Sequence, residues 1–435
     1  MIIVMINKNL GRGEVYHSIN IREKNKIIDC IVILSSLLYI IDVLLISKIE
    51  QSLNLRIQDI ASVLSIISIT YIIRKYKKNF SYIFLSILIF FTYVIIDNLI
   101  FYLNGKINGK FIFYIGKEVE YILCMFTILY FLSNYYRSFY SILNILICAN
   151  ILFGFYQVVI QKISYYGIGT IFETAPSFSG AIYFLCSILC FFIYKKYKKD
   201  KFKIYSLLFY ILVLFTVSKT NILGLTIFYI LYFIIDIFYR INKNLKNKNL
   251  NNHLIRFRKI FSVIIFLVII IIFIIFILNS KIINNILNSE LVRRIFYRFS
   301  VLNNSYSIRK NKAKYYYNCF IGNSVLSLLF GCGKGVTEFR FGTDTLAVDN
   351  QFIRGIIELG LIGIILWLNV IFSIMNFIRK SKLRINYFFI ISLFISYLFM
   401  GIGYEVFVVT KSGIIFWFLT GIFIGDVYLN KNLSK

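Results

Sequence analysis

Proline occurs once in this chain of 435 residues, at Pro176, and histidine twice, at His17 and His253. So little proline leaves few residues that break a helix from within, and the helices are expected to run mostly unbroken. Both histidines stand in basic stretches that the charge pattern assigns to the inner side, which excludes a histidine metal site or triad on the outer side. The seven cysteines show no metal-ligand spacing. Cys30, Cys124, Cys148, Cys186 and Cys190 fall in apolar stretches, where a thiol acts as a small hydrophobe. Cys319 and Cys332 share one long polar segment, where they stand either free or paired. Acidic residues number 19 against 48 lysines and arginines. No base-reading motif accompanies that excess, so it fits loops facing anionic lipid headgroups rather than nucleic acid. The opening MIIVMINKNLGRGEV has neither a basic leading segment nor an apolar run of leader length, so no cleaved signal peptide is expected.

Apolar length is what the sequence has in plenty: 59% of it is hydrophobic, with 45 phenylalanines. Runs such as 260–278 exceed any buried strand, so the expected fold is an all-α polytopic integral membrane protein. About twelve spans are expected, near 27–47, 55–73, 80–103, 111–132, 139–160, 177–194, 203–217, 221–239, 260–278, 351–378, 386–407 and 412–430, the seventh being short. This divides the chain into an N-terminal segment 1–26, spans one to nine over 27–278, a large basic loop 279–350, and spans ten to twelve with a short tail over 351–435.

Lysine and arginine in short loops set the orientation. RKYKK (74–78), KKYKKDKFK (195–203), 240–259 and RKSKLR (379–384) are rich in them, while only Arg137 marks 133–138. The intervening loops hold one or two cations each. Both termini are therefore expected to be cytoplasmic, with 279–350 outside. That loop is itself basic, and long loops translocate largely regardless of charge. Six of the sixteen arginines lie between 293 and 354. Two readings stay open: a lipid-facing amphipathic helix at 287–299, or a site for an anion such as phosphate, which suits the arginine fork.

The stretch AVDNQFIRGIIELGLIGIILWLNVIFSIMN (347–376) organises the rest. Arg354 and Glu358 share one helical face near the mouth of a membrane helix, where charge is costly and marks a candidate site. Asp349 before them is either a site residue or a helix N-cap. Asp42, Asp97, Glu118, Glu120 and Glu405 fall toward the same side, and together they point to a polar cavity with the large loop as its lid. GTIFETAPSFSG (169–180) carries Glu173 before a membrane entrance. VSKT (217–220) leaves Lys219 at a helix mouth, as an anion ligand or a C-terminal cap. FGCGKGV (330–336) is a glycine-rich turn with no strand before it, hence no nucleotide loop; it is either a plain flexible turn or an anion nest. No internal repeat is visible, and the large loop sits off centre, against a transporter of two equal halves.

These strings resemble the O-antigen polymerase and ligase family of bacterial envelope glycan assembly. The likeness rests on LLFGCGKG (328–335) with VDNQFIRGIIELGLIG (348–363), supported by IFETAPSFSG (171–180) and by FTVSKTNILG (215–224), which is similar to that family's S-R-T turn. The resemblance implies a GT-C-like membrane glycosyltransferase at the outer leaflet of the bacterial cytoplasmic membrane. Its donor and acceptor would be glycans on undecaprenyl pyrophosphate, with no cofactor and no metal, and a flippase and a chain-length regulator would be its partners. A polymerase would join repeat units into a capsule or O-antigen type polysaccharide; a ligase would move the chain to another acceptor; a flippase or transporter of lipid-linked sugars is the reading outside enzymes. Two departures from the pattern matter: Lys219 replaces the arginine of the S-R-T turn, and the outer loop lacks a histidine, which favours polymerase over ligase. Arg309, Arg354, Lys219 and Arg298 are the expected pyrophosphate ligands. Glu358, Asp349 or Glu173 is the expected base, unless Glu358 only holds Arg354.

Overall fold

The computed structural model describes residues 26–44, 57–159, 176–216, 218–246, 311–312, 314–322, 324–336, 350–403, 407 and 410–433. These are all-helical, with no strand among the described residues. In chain order the helices are α1 (Lys26–Leu44), α2 (Ile57–Leu103), α3 (Phe111–Val159), α4 (Pro176–Tyr197), α5 (Asp200–Phe215), α6 (Lys219–Lys246), α7 (Val325–Phe330), α8 (Gln351–Lys380), α9 (Arg384–Gly403) and α10 (Thr410–Leu433). Among the described residues nine segments are long and apolar enough to cross a bilayer, so this is a multi-pass membrane protein. The expected span 260–278 and the expected helix 287–299 lie outside the described residues.

Two expected loops prove helical. Residues 74–78 and 133–138 continue α2 and α3, each of which bends at a single residue, Phe80 (φ −120°, ψ 20°) and Tyr135 (φ −132°, ψ 42°). The contacts show that the chain reverses at these points. Gln58 bonds Glu120, and Asn98 lies beside the same end of α3 through Lys334, so positions 58 and 98 of α2 meet at one end of the bundle. In α3, Asn134 bonds Lys75 at the other end, while Asn150 bonds Leu44 O. Each long helix is thus a hairpin of two apolar arms.

The bundle therefore has a lysine-rich end, with Lys75, Lys195, Lys196 and Arg384, and a glycine-turn end, with Asn98, Glu118, 331–336 and Gln351. α5 has 16 residues and is not among the crossing-length segments. Its C-cap is Thr216, so Lys219 does not cap α5: it opens α6. α4 begins at Pro176, where a missing N–H costs nothing.

Small residues let the arms approach where no hydrophobic drive exists between helices in lipid. Ser35 and Ser65 Oγ lie 2.5 Å apart between α1 and α2. A Cβ at Gly421 would lie 2.6 Å from Met125 O, so only glycine lets α10 lie so closely on α3. Part of the expected outer loop also joins the membrane domain. Tyr316, Phe320, Ile321 and Val336 pack with Ile107, Phe111 and Ile357 in one apolar cluster. Cys319 and Cys332 are not joined in a disulfide.

Candidate functional site

The centre of the site is a break in α8. Gly360 adopts φ 65° and ψ −179°, a region open to glycine alone. The helices are expected to run mostly unbroken, and the exception here is made by glycine, not proline. Gly331 faces it at φ 84° and ψ −157°, in the same region. Neither position tolerates a side chain. A Cβ at Gly331 would lie 2.7 Å from Gly360 N, and one at Gly360 would overlap Leu329 O.

Breaking a membrane helix frees backbone carbonyls that lipid cannot satisfy. Here the glycine turn and Tyr93 of α2 satisfy two of them. Cys332 N–H donates to Ile357 O at 2.7 Å, and the Tyr93 hydroxyl lies 2.8 Å from Leu359 O and 3.1 Å from Phe330 O, shared between the two. The turn is therefore a packed plug against α8, not the plain flexible loop that its composition allowed. Lys334 N–H donates to Asn98 Oδ1 at 2.7 Å and fixes the turn to α2.

Around this plug the structure brings four charged side chains together. Arg354 Nε donates to Glu358 Oε1 at 2.9 Å, and both residues are buried, at 5% and 3% exposure. Gly335 N–H points at the same oxygen from 3.4 Å. Lys334, 4% exposed, is paired with Glu118 Oε1 from α3. Asn350, not Asp349, caps α8: its Oδ1 accepts from Phe352 N at 3.0 Å and Ile353 N at 3.1 Å. Its Nδ2 also donates to Ile402 O.

Beneath these groups lies a cavity of about 300 Å³ between α2, α3, α8, α9 and α10. Glu118, Lys334, Gln351 and Glu358 form its polar end, and its walls are mainly aromatic and aliphatic, Phe90, Trp367, Tyr397 and Trp417 among them. The expected polar cavity is thus an apolar one with a polar rim. Of the carboxylates expected to line it, Glu118 and Glu358 do; Asp42, Asp97 and Glu120 do not, Glu120 accepting from Gln58 at 3.0 Å. Arg354 stands behind Glu358 rather than on the cavity wall.

Lys219 is half-buried at the start of α6 and belongs to a second junction. There a Cβ on Gly180 would touch Asn221, Ser218 and Thr216, so the strings IFETAPSFSG and FTVSKTNILG meet. α9 lies between the two junctions, with Gly401 against Gln351, and Met400 filling the space left by Gly224. Asp349, Glu173, Arg309 and Arg298 lie outside the described residues, as do His17, His253 and Glu405. Among the described residues no cluster of His, Cys, Asp and Glu could hold a metal. Lys334, Tyr93 and Gln351 are the site residues that sequence reasoning missed. A cation inside a glycine-rich turn was the one available signal for Lys334, and it said nothing of the α3 partner.

The site sets a carboxylate beside a guanidinium, presents a buried lysine, and shelters apolar matter below both. No protein-family model matches this chain, and no curated protein matches it either.

Proposed function

We propose that this protein is a membrane glycosyltransferase that joins undecaprenyl-pyrophosphate-linked oligosaccharide repeats into a surface polysaccharide. In this reading it has about twelve spans and a GT-C-like plan. The lysine-rich end is cytoplasmic, and the glycine-turn end faces the outside of the bacterial cytoplasmic membrane. One observation carries the proposal. The two most specific strings of the resemblance, LLFGCGKG (328–335) and VDNQFIRGIIELGLIG (348–363), do more than follow one another in sequence: they interlock at Gly331 and Gly360, above a cavity suited to a lipid chain.

The chemistry follows from the charges. The acceptor hydroxyl oxygen attacks the anomeric carbon, the bond to the pyrophosphate oxygen breaks, and the hydroxyl proton passes to a carboxylate. Glu358 is the candidate base, held in place by Arg354. Fixed cations stabilise the departing pyrophosphate and replace a general acid; Lys219, Arg309 and Arg298 remain candidates for that role.

A second reading, a transporter of lipid-linked sugars, is favoured by the break in α8, because transporter sites are commonly built on interrupted helices. Reconstituted protein given only lipid-linked repeats separates the three. Chain extension supports the polymerase, a strict need for a different acceptor supports a ligase, and movement of repeats across the bilayer without extension supports the transporter.

A further inference from the structure

The pairing of Lys334 with Glu118 differs from an ordinary structural ion pair. Lys334 is fixed: it is 4% exposed and its own N–H is tied to Asn98. Glu118 is the looser partner, its side chain 24% exposed. Only one of its oxygens is engaged. Oε2 is buried and has no hydrogen-bond partner among the described residues. A carboxylate in that state has lost water on one oxygen without gaining a donor, so the pair is only half compensated. A buried ammonium, by contrast, always needs an anion beside it.

The pair also lines a mainly apolar space of about 300 Å³. Phe91, Ile122, Ile364, Leu398 and Trp417 line the same space. A ligand that uses both features has a single hydrocarbon chain and an anionic head.

We propose that Lys334 is the anion seat of this cavity and that Glu118 is its resident placeholder. A single-chain isoprenoid phosphate enters with its chain against the aromatic wall, and its phosphate takes the place of Glu118 on Lys334. This rests on the lipid-linked-donor reading above. It adds an anion ligand that reading does not name, and it assigns Glu118 to competition rather than catalysis. A lysine serves here as a point charge, which suits exchange between two anions better than a bidentate fork would.

The test uses the purified full chain and radiolabelled farnesyl phosphate in equilibrium binding. Farnesol and inorganic phosphate serve as controls, and the thermal unfolding of every variant is recorded. Lys334→Met should weaken farnesyl phosphate binding about tenfold or more, whereas Lys334→Arg should keep most of it. Glu118→Gln should tighten it about threefold or more, because the competitor has lost its charge. Filling the wall with Leu398→Trp should weaken farnesyl phosphate and leave the weak affinity for inorganic phosphate unchanged. The proposal is overturned if Glu118→Gln weakens binding as Lys334→Met does, or if farnesol binds as well as farnesyl phosphate, the mark of a plain hydrocarbon pocket. Inorganic phosphate binding as tightly as the amphiphile would overturn it too, leaving a free-anion site. Glycan transfer is scored separately. Transfer that persists in Lys334→Met sinks this proposal alone, and binding as expected without any transfer sinks only the transferase reading.

Discussion

Two lysine–carboxylate pairs stand at opposite ends of the bundle and are made to different degrees of completion. At the lysine-rich end, Lys196 on α4 meets Asp426 Oδ1 on α10. The second oxygen, Oδ2, accepts from Asn386 Nδ2 at 3.0 Å and Asn430 Nδ2 at 3.3 Å. Both carboxylate oxygens are satisfied, and the pair locks three helices together. At the glycine-turn end, Glu118 satisfies one oxygen only and faces a cavity. The same chemical pair is a bolt in one place and an exchangeable contact in the other, and the number of satisfied acceptors marks the difference. Arg354–Glu358 lies between the two: it is fully buried, yet its carboxylate forms part of the cavity rim.

The comparison is broken most forcefully at the bolt. Asp426→Ala leaves the Lys196 ammonium without its carboxylate inside the bundle and should cost about 3–5 kcal/mol. Thermal unfolding in detergent should fall sharply, while the fraction of molecules that still folds keeps its transfer rate per molecule. Loss of transfer without loss of stability would reverse the roles assigned to the two ends. Next in size is Gly360→Ala. The glycine-only backbone geometry should cost about 1–3 kcal/mol, and the overlap with Leu329 O should push the glycine turn off α8. Its signature is loss of hydrogen-exchange protection at 331–336; unchanged protection there would mean that the turn is held by something else. Tyr93→Phe is the gentlest. Removing the hydroxyl shared by Leu359 O and Phe330 O should cost about 0.6–2 kcal/mol, the range for a side-chain bond within a membrane bundle, and unfolding measurements on the single variant read it directly.

Much of the helical frame was legible in the sequence. The run of apolar residues places α8 at Gln351–Lys380 against an expected 351–378, and α10 at Thr410–Leu433 against 412–430, because length and hydropathy dominate in a membrane. Turns between arms were misread, since Lys75 and Arg137 mark a membrane boundary whether or not the chain stays helical across it. The break at Gly360 was illegible for a physical reason. Gly355, Gly360 and Gly363 look alike in sequence, and only the approach of Gly331 selects the one that must leave the helix. Half of the candidate site, Arg354 and Glu358, followed from helical spacing alone. The other half did not, because Lys334 and Glu118 are 216 residues apart and no local pattern joins them. The cavity's apolar character was missed likewise: it comes from aromatic residues of five helices, none of which is unusual in its own span.

The central claim is that the glycine-turn end performs glycan transfer with Glu358 as the base. Glu358→Gln keeps the side chain's shape and its place beside Arg354 but removes the basic oxygen. In a reconstituted assay with lipid-linked repeats, the account predicts a folded protein that extends chains about 10²–10⁴-fold more slowly, with single repeats accumulating. Long chains formed at the unaltered rate by Glu358→Gln would contradict it.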